Sequence, residues 1–133
     1  MNGPENAEQL LARASALREA GRVEEAIAAY EAVLAVRPEL AESWYNLGWL
    51  RRRARRFEAA LDAYDEALKR GVSSPEEVHL NRAVIYADDL ARPEAAEAEL
   101  AAALAIRPDY VPALLNLGNL EEDRGQRAAA RAA

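Results

Sequence analysis

The stretch Ala26-Ile27-Ala28-Ala29-Tyr30-Glu31-Ala32-Val33-Leu34 returns 34 residues later as Ala60-Leu61-Asp62-Ala63-Tyr64-Asp65-Glu66-Ala67-Leu68. A third copy, Ala96-Glu97-Ala98-Glu99-Leu100-Ala101-Ala102-Ala103-Leu104, lies 36 residues further on, and Val36-Arg37-Pro38 returns as Ile106-Arg107-Pro108. Between these copies a second element recurs: Ala41-Glu42-Ser43-Trp44-Tyr45-Asn46-Leu47-Gly48 is echoed by Val111-Pro112-Ala113-Leu114-Leu115-Asn116-Leu117-Gly118. Each half is alanine-rich, has apolar residues at i, i+3, i+4 and i+7, and is punctuated by Gly or Pro, which is the pattern of an amphipathic helix. The repeating unit is therefore a pair of antiparallel helices. The spacing predicts first (A) helices over 6–19, 40–53, 75–89 and 110–123, and second (B) helices over 23–36, 57–70, 93–106 and from 126 onward.

Local signals support these bounds. Ser74-Pro75-Glu76-Glu77 has the form of a capping box with proline at the first helical position, and Pro93 opens another helix in the same way. Gly21 and Gly125 are placed to supply the left-handed stop after an A helix. Composition narrows the chemistry. About a quarter of the 133 residues are alanine, 51% are apolar and 30% are charged with both signs, which suits a packed helical core and excludes both global disorder and a membrane span. A net charge of −6 argues against phosphate-driven nucleic-acid binding. No cysteine and one histidine exclude disulfides, thiolate zinc sites and multi-histidine metal sets, and no catalytic signature or cofactor motif is present.

Period and residues together resemble the tetratricopeptide repeat, whose pattern W-x2-L-G-x2-Y, then A-x3-F, is met by Trp44, Leu47, Gly48, Ala60 and Tyr64. Small residues Ala14, Gly48, Ala83 and Gly118 recur where A and B helices must touch. The resemblance implies an all-α, right-handed superhelical solenoid of antiparallel helix pairs, with three full repeats and a partial fourth. The expected boundaries are about 7–40, 41–74, 75–110 and 111–133, within one domain spanning 1–133. The chain departs from the pattern in places: Arg51 replaces an aromatic, Arg13 and Arg82 replace leucines, and Arg55 replaces the turn glycine. Two residues are added before Ser74 and one in the turn Leu90 to Pro93.

In this family the A helices line a concave groove. The resemblance assigns to it Tyr45, Asn46, Trp49, Arg52 and Arg53, then Asn81, Val84 and Asp88, then Asn116, Asn119 and Asp123. Asn46, Asn81 and Asn116 are spaced 35 and 35 apart. A carboxamide offers donors and an acceptor together, so such a ladder suits the backbone of an extended peptide; the alternative is that asparagine bonds within the helix pair. The family's clamp for a terminal carboxylate is not reproduced, since Leu11, Ser15, Asn81 and Val84 or Ile85 stand in its places and only Asn46 matches. Trp49 is an expected anchor in the groove or a packing residue on the next A helix. The run Arg51-Arg52-Arg53-Ala54-Arg55-Arg56 complements a helix C-terminus, whereas Asp88-Asp89 and Glu121-Glu122-Asp123 oppose it. Segment 41–72 holds seven basic and five acidic residues, and segment 73–110 three and eight, so the groove rim is expected to change sign. His79 takes the slot of Trp44 and carries no expected chemistry.

The expected function is a protein or peptide interaction scaffold with no catalysis of its own, no cofactor, no metal, and neither nucleic acid nor membrane as partner. The alternative is the N-terminal regulatory or substrate-presenting part of a larger bacterial enzyme, because Val78 to Tyr86 and Leu114 to Arg124 look like arrays that precede transferases such as sulfotransferases. Met1 to Gln9 has no export signal, which points to the cytoplasm. The fourth unit breaks off within its B helix, so the array is expected to continue beyond Ala133 or to self-associate through Leu114 and Leu117.

Overall fold

A computed structural model describes residues 6–132; within them the chain forms seven α-helices and one π-helical turn, with no strand. The segment Met1–Glu5, part of the stretch read for an export signal, lies outside the described residues, as does Ala133. The helices are α1 (Ala7–Glu19), α2 (Val23–Val36), α3 (Ala41–Arg53), α4 (Phe57–Lys69), α5 (Pro75–Val84), α6 (Pro93–Ile106) and α7 (Val111–Ala132), with the π turn at Ile85–Asp89 following α5. This is the all-α array of helix pairs expected from the repeat. The chain divides between Ser73 and Ser74 into two compact units.

In the first unit the apolar stripes close on each other. Ala26, Ile27, Tyr30, Val33 and Leu34 of α2 are buried with Ala14 of α1 and Leu47 and Leu50 of α3. Full burial of side chains this size contributes about 1.5–3 kcal/mol each. Gly48 is required where α3 meets α4: a Cβ there would stand 2.8 Å from the Tyr64 ring, so only a glycine lets the ring lie on the helix backbone. Trp44 packs at the edge of this core and donates from Nε1 to the Pro38 carbonyl at 2.8 Å, which ties α3 to the loop before it. The added residues before Ser74 are pinned as well, since Val72 is buried and the Ser73 N–H donates to Glu42 Oε1 at 2.9 Å.

The second unit has its own core of Ala83, Ala96, Leu100, Ala103, Ala113 and Leu120. Here the sequence expectations need three corrections. Ser74 makes no side-chain capping bond, although Pro75 does open α5; the capping box is instead at Asn6 and Gln9 on α1, where each side chain bonds the other's backbone N–H. Gly125 stops nothing: α7 runs unbroken to Ala132, so the fourth A and B segments form one helix and Glu121, Glu122 and Asp123 lie mid-helix, away from any terminal dipole. The residue added near the Leu90 to Pro93 turn is absorbed inside the helix. Leu90 N–H reaches back five residues to the Ile85 carbonyl at 3.0 Å, and Arg92 N–H reaches six, to Tyr86, at 2.7 Å.

Left-handed residues follow α1, α3, α4 and the π turn, whereas α2 and α6 stop at Arg37 and Arg107, each just before a proline. Gly21 has φ 74°, and the Gly21 and Arg22 N–H groups return to Arg18 and Leu17, each at 3.0 Å. The same closure occurs at Gly71 with φ 80° and, without glycine, at Arg55 with φ 63°. Arg55 and Arg56 N–H groups bond Arg52 and Arg51 at 2.9 and 2.8 Å, so hydrogen bonding holds an L-residue in a conformation that costs about 1–2 kcal/mol. Ala91, φ 52°, does the same after the π turn.

Candidate functional site

Two hollows gather most of the expected groove residues, one in each unit. In the first unit Tyr45, Asn46 and Trp49 of α3 line a space of about 310 Å³ with Arg18 and Glu19 of α1. Spacings of one, three and four residues put Tyr45, Asn46 and Trp49 on one side of α3. Trp49 is 38% exposed, with the Arg53 guanidinium 4.9 Å above its ring, and Tyr45 rests against Tyr64 at 5.7 Å between centroids. The Asn46 side chain is already engaged: its Oδ1 accepts from Arg18 Nη1 at 2.6 Å. A guanidinium can only donate, so the amide oxygen must face Arg18 and the amide nitrogen is left to face outward.

In the second unit Asp88, Asn116, Asn119 and Asp123 line a hollow of about 190 Å³ with Arg124, Arg127, Leu120 and the Ala87–Pro93 turn. Asn116 is also engaged, but in the opposite sense. Its Nδ2 donates to the Pro112 carbonyl at 2.7 Å, one turn back on its own helix, and its oxygen has no partner among the described residues. Arg124 is held by Glu97 and lies 3.9 Å from Glu94.

Arg52, Asn81 and Val84 are half-buried and belong to neither lining. Sequence reasoning left Arg18, Arg124 and Arg127 out of the site. Arg18 reaches a residue 28 positions away, for which no local pattern exists. Arg124 and Arg127 flank Gly125, and the signal available was the alanine- and arginine-rich run that follows it, a good helix former.

The arginine run of α3 is largely committed to partners within its unit. Arg51 bonds Glu31 at 3.2 Å and the Ala59 carbonyl at 3.1 Å; Arg56 bonds Glu24 at 2.7 Å; Arg53 and Arg55 lie over Trp49 and Phe57. Arg82, which stands where the repeat has leucine, is likewise held 3.2 Å from Glu99, whose other oxygen is 2.8 Å from His79 Nδ1. His79 thus has a carboxylate partner that sequence spacing did not reveal, 20 residues away across a helix pair.

Helix pairs closed by left-handed stops, with a small residue of the first helix set under an aromatic ring of the second, define a helical repeat protein. Residues 11–75 match the sequence profile of the tetratricopeptide repeat family, and the fold of the chain is that of the repeat. No curated protein sequence matches it. Among solved structures, MamA superposes with a TM-score of 0.84 at 22% identity, covering 97% of this chain and 74% of its own. YrrB, described as a TPR protein with an unusual peptide-binding site, gives 0.75 at 20% identity, covering 94% of this chain and 63% of that one. The first TPR of Spaghetti (RPAP3), bound to the HSP90 peptide SRMEEVD, gives 0.78 at 18%, covering 90% and 93%. The chain therefore spans less than two thirds of YrrB. Among the described residues no helix is long and apolar enough to cross a membrane, and no group of His, Asp and Glu side chains is placed to hold a metal ion.

Proposed function

We propose that the chain is a protein-interaction scaffold that binds an extended peptide segment through the residues lining its two hollows, and that it performs no catalysis of its own. The observation that carries this reading is the first-unit hollow. It places a half-exposed Trp49 and the Tyr45 ring beside outward amide donors of Asn46 and the Arg18 guanidinium. Aromatic walls supply contact area for an apolar side chain, and fixed donors accept a peptide carbonyl without reading the side chain attached to it. The peptide bound to RPAP3 and the peptide-binding site ascribed to YrrB support the reading by analogy of fold.

The test is a library of extended, dye-labelled peptides, with binding read by the fluorescence anisotropy of the label. Trp49→Ala should weaken captured peptides by about tenfold or more, as expected of an anchor in a binding hollow, and leave the melting temperature within a few degrees. Peptides that bind wild type and Trp49→Ala equally would remove the hollow from the binding surface.

A further inference from the structure

We propose that the first-unit hollow is a proline site, which takes a proline of a bound segment in the polyproline II conformation; this rests on the peptide-binding reading above. The polar groups left to be satisfied there are mostly donors. Because Arg18 Nη1 holds the Asn46 oxygen at 2.6 Å, that side chain offers a ligand only its amide N–H groups. Arg18 itself can only donate, and the Glu19 carboxylate at the rim is drawn to it, 3.8 Å from Nη2. Trp49 adds a further donor, since its indole N–H makes no hydrogen bond among the described residues. The Tyr45 hydroxyl can play either part and leaves the balance unchanged.

Such a lining is complementary in charge to a backbone that carries carbonyls without N–H groups. Proline is the residue with that backbone. Any other residue brings an N–H with each carbonyl, and in this hollow the N–H has little to bond to. A glutamate would be attracted by Arg18, but it would also meet Glu19 and leave the two rings uncovered.

Shape agrees with polarity. Tyr45 and Trp49 stand one turn apart on α3, and Trp49 is 38% exposed although the Arg53 guanidinium lies 4.9 Å above its ring. At about 310 Å³ the space is close to the roughly 300 Å³ at which ligand pockets begin, so a ligand gains few contacts and cannot offset much ordering. A polyproline II segment has little order left to gain. Its φ is fixed near −65° by the ring, it makes no internal hydrogen bonds, and its carbonyls all remain available. The same helix already holds a proline in this way: Trp44 donates from Nε1 to the Pro38 carbonyl at 2.8 Å. Trp49 repeats the side chain five residues later with its N–H unfilled.

The experiment titrates the full chain into three dye-labelled, end-capped nonapeptides, each with a central triplet of proline, leucine or glutamate between glycine and serine flanks. Binding is followed by the anisotropy of the label. The proline peptide should bind about tenfold tighter than the leucine peptide, because it is ordered in advance and brings no unmatched N–H. Trp49→Phe keeps a ring and removes the donor, and should weaken the proline peptide about fivefold. Asn46→Asp keeps a partner for Arg18 but turns an acceptor outward, and should bring the proline peptide down to the leucine value. Both variants should melt within a few degrees of wild type. Equal or tighter binding of the leucine or glutamate peptide, or a proline affinity that neither substitution moves, would overturn the proline site. If in those cases a peptide still binds wild type and is weakened by Trp49→Ala, the peptide-binding reading survives; if none binds, both fall.

Discussion

Helix α3 and the first half of α7 carry the same repeat positions, and their surroundings differ completely. On α3 the small residue Gly48 lies under the Tyr64 ring, Trp44 packs on the core and Tyr45 rests against Tyr64. On α7 the corresponding Gly118 has no atom within 4 Å of where its Cβ would be, while Leu114 and Leu115, in the slots of Trp44 and Tyr45, are 47% and 63% exposed. The difference is the second helix. In α3 the conformational cost of a mid-helix glycine, about 1 kcal/mol, is offset by the close approach of α4; in α7 nothing offsets it. A repeat position is thus a slot whose energetic meaning depends on its partner being present.

The largest effect should come from supplying that partner. Ending α7 at Asp123 and following it with the Ala54–Arg56 turn and a copy of Phe57–Lys69 should raise stability by about 3 kcal/mol, because neighbouring helices dominate the energetics of such arrays. An unchanged urea midpoint would show that the α7 face needs no cover. Next, Gly48→Ala should destabilise by about 2 kcal/mol through overpacking on Tyr64. Gly118→Ala should stabilise by about 1 kcal/mol through helix propensity alone. Opposite signs in chemical denaturation are the outcome expected; equal signs would break the comparison, and in the helix-extended variant Gly118→Ala should turn unfavourable. Arg55→Gly should then stabilise by about 1 kcal/mol by relieving its left-handed conformation, with Arg55→Ala giving no such gain. The smallest effect belongs to Tyr30, whose hydroxyl is buried without a hydrogen-bond partner among the described residues. Tyr30→Phe should raise stability by about 0.5 kcal/mol, and a loss would reveal a partner for that hydroxyl.

Much of the fold was legible in the sequence because its signals are local. Alanine and apolar residues at helical spacing set the stripes of α2, α4 and α6, Pro75 and Pro93 mark helix starts, and Gly21 allows the left-handed stop, all within one or two turns of chain. Arg55 shows the limit of that kind of evidence: the stop forms there with the wrong residue, since α4 beyond it buries Ala60, Leu61, Ala63, Tyr64 and Ala67 and outweighs the local strain.

Gly125 shows the converse, a suitable residue that stops nothing. The residues after it in α7, Gln126 to Ala132, offer glutamine, arginine and alanine, which favour helix and bring no large apolar side chain that folding back could bury, so α7 continues. The π turn was likewise undecided locally, because an added residue can sit in a loop or in a helix, and the packing of α5 and α6 on either side selects the helix. The site depended most on tertiary structure. Periodicity alone placed three asparagines on one face of the repeat, and by itself it left each amide free to donate or accept. Arg18, 28 residues before Asn46, turned one amide to present donors, and the Pro112 carbonyl turned another to present its oxygen. An amide's orientation is set by the polar group it meets in three dimensions, and neither that group nor its direction is encoded in the spacing of the asparagines themselves.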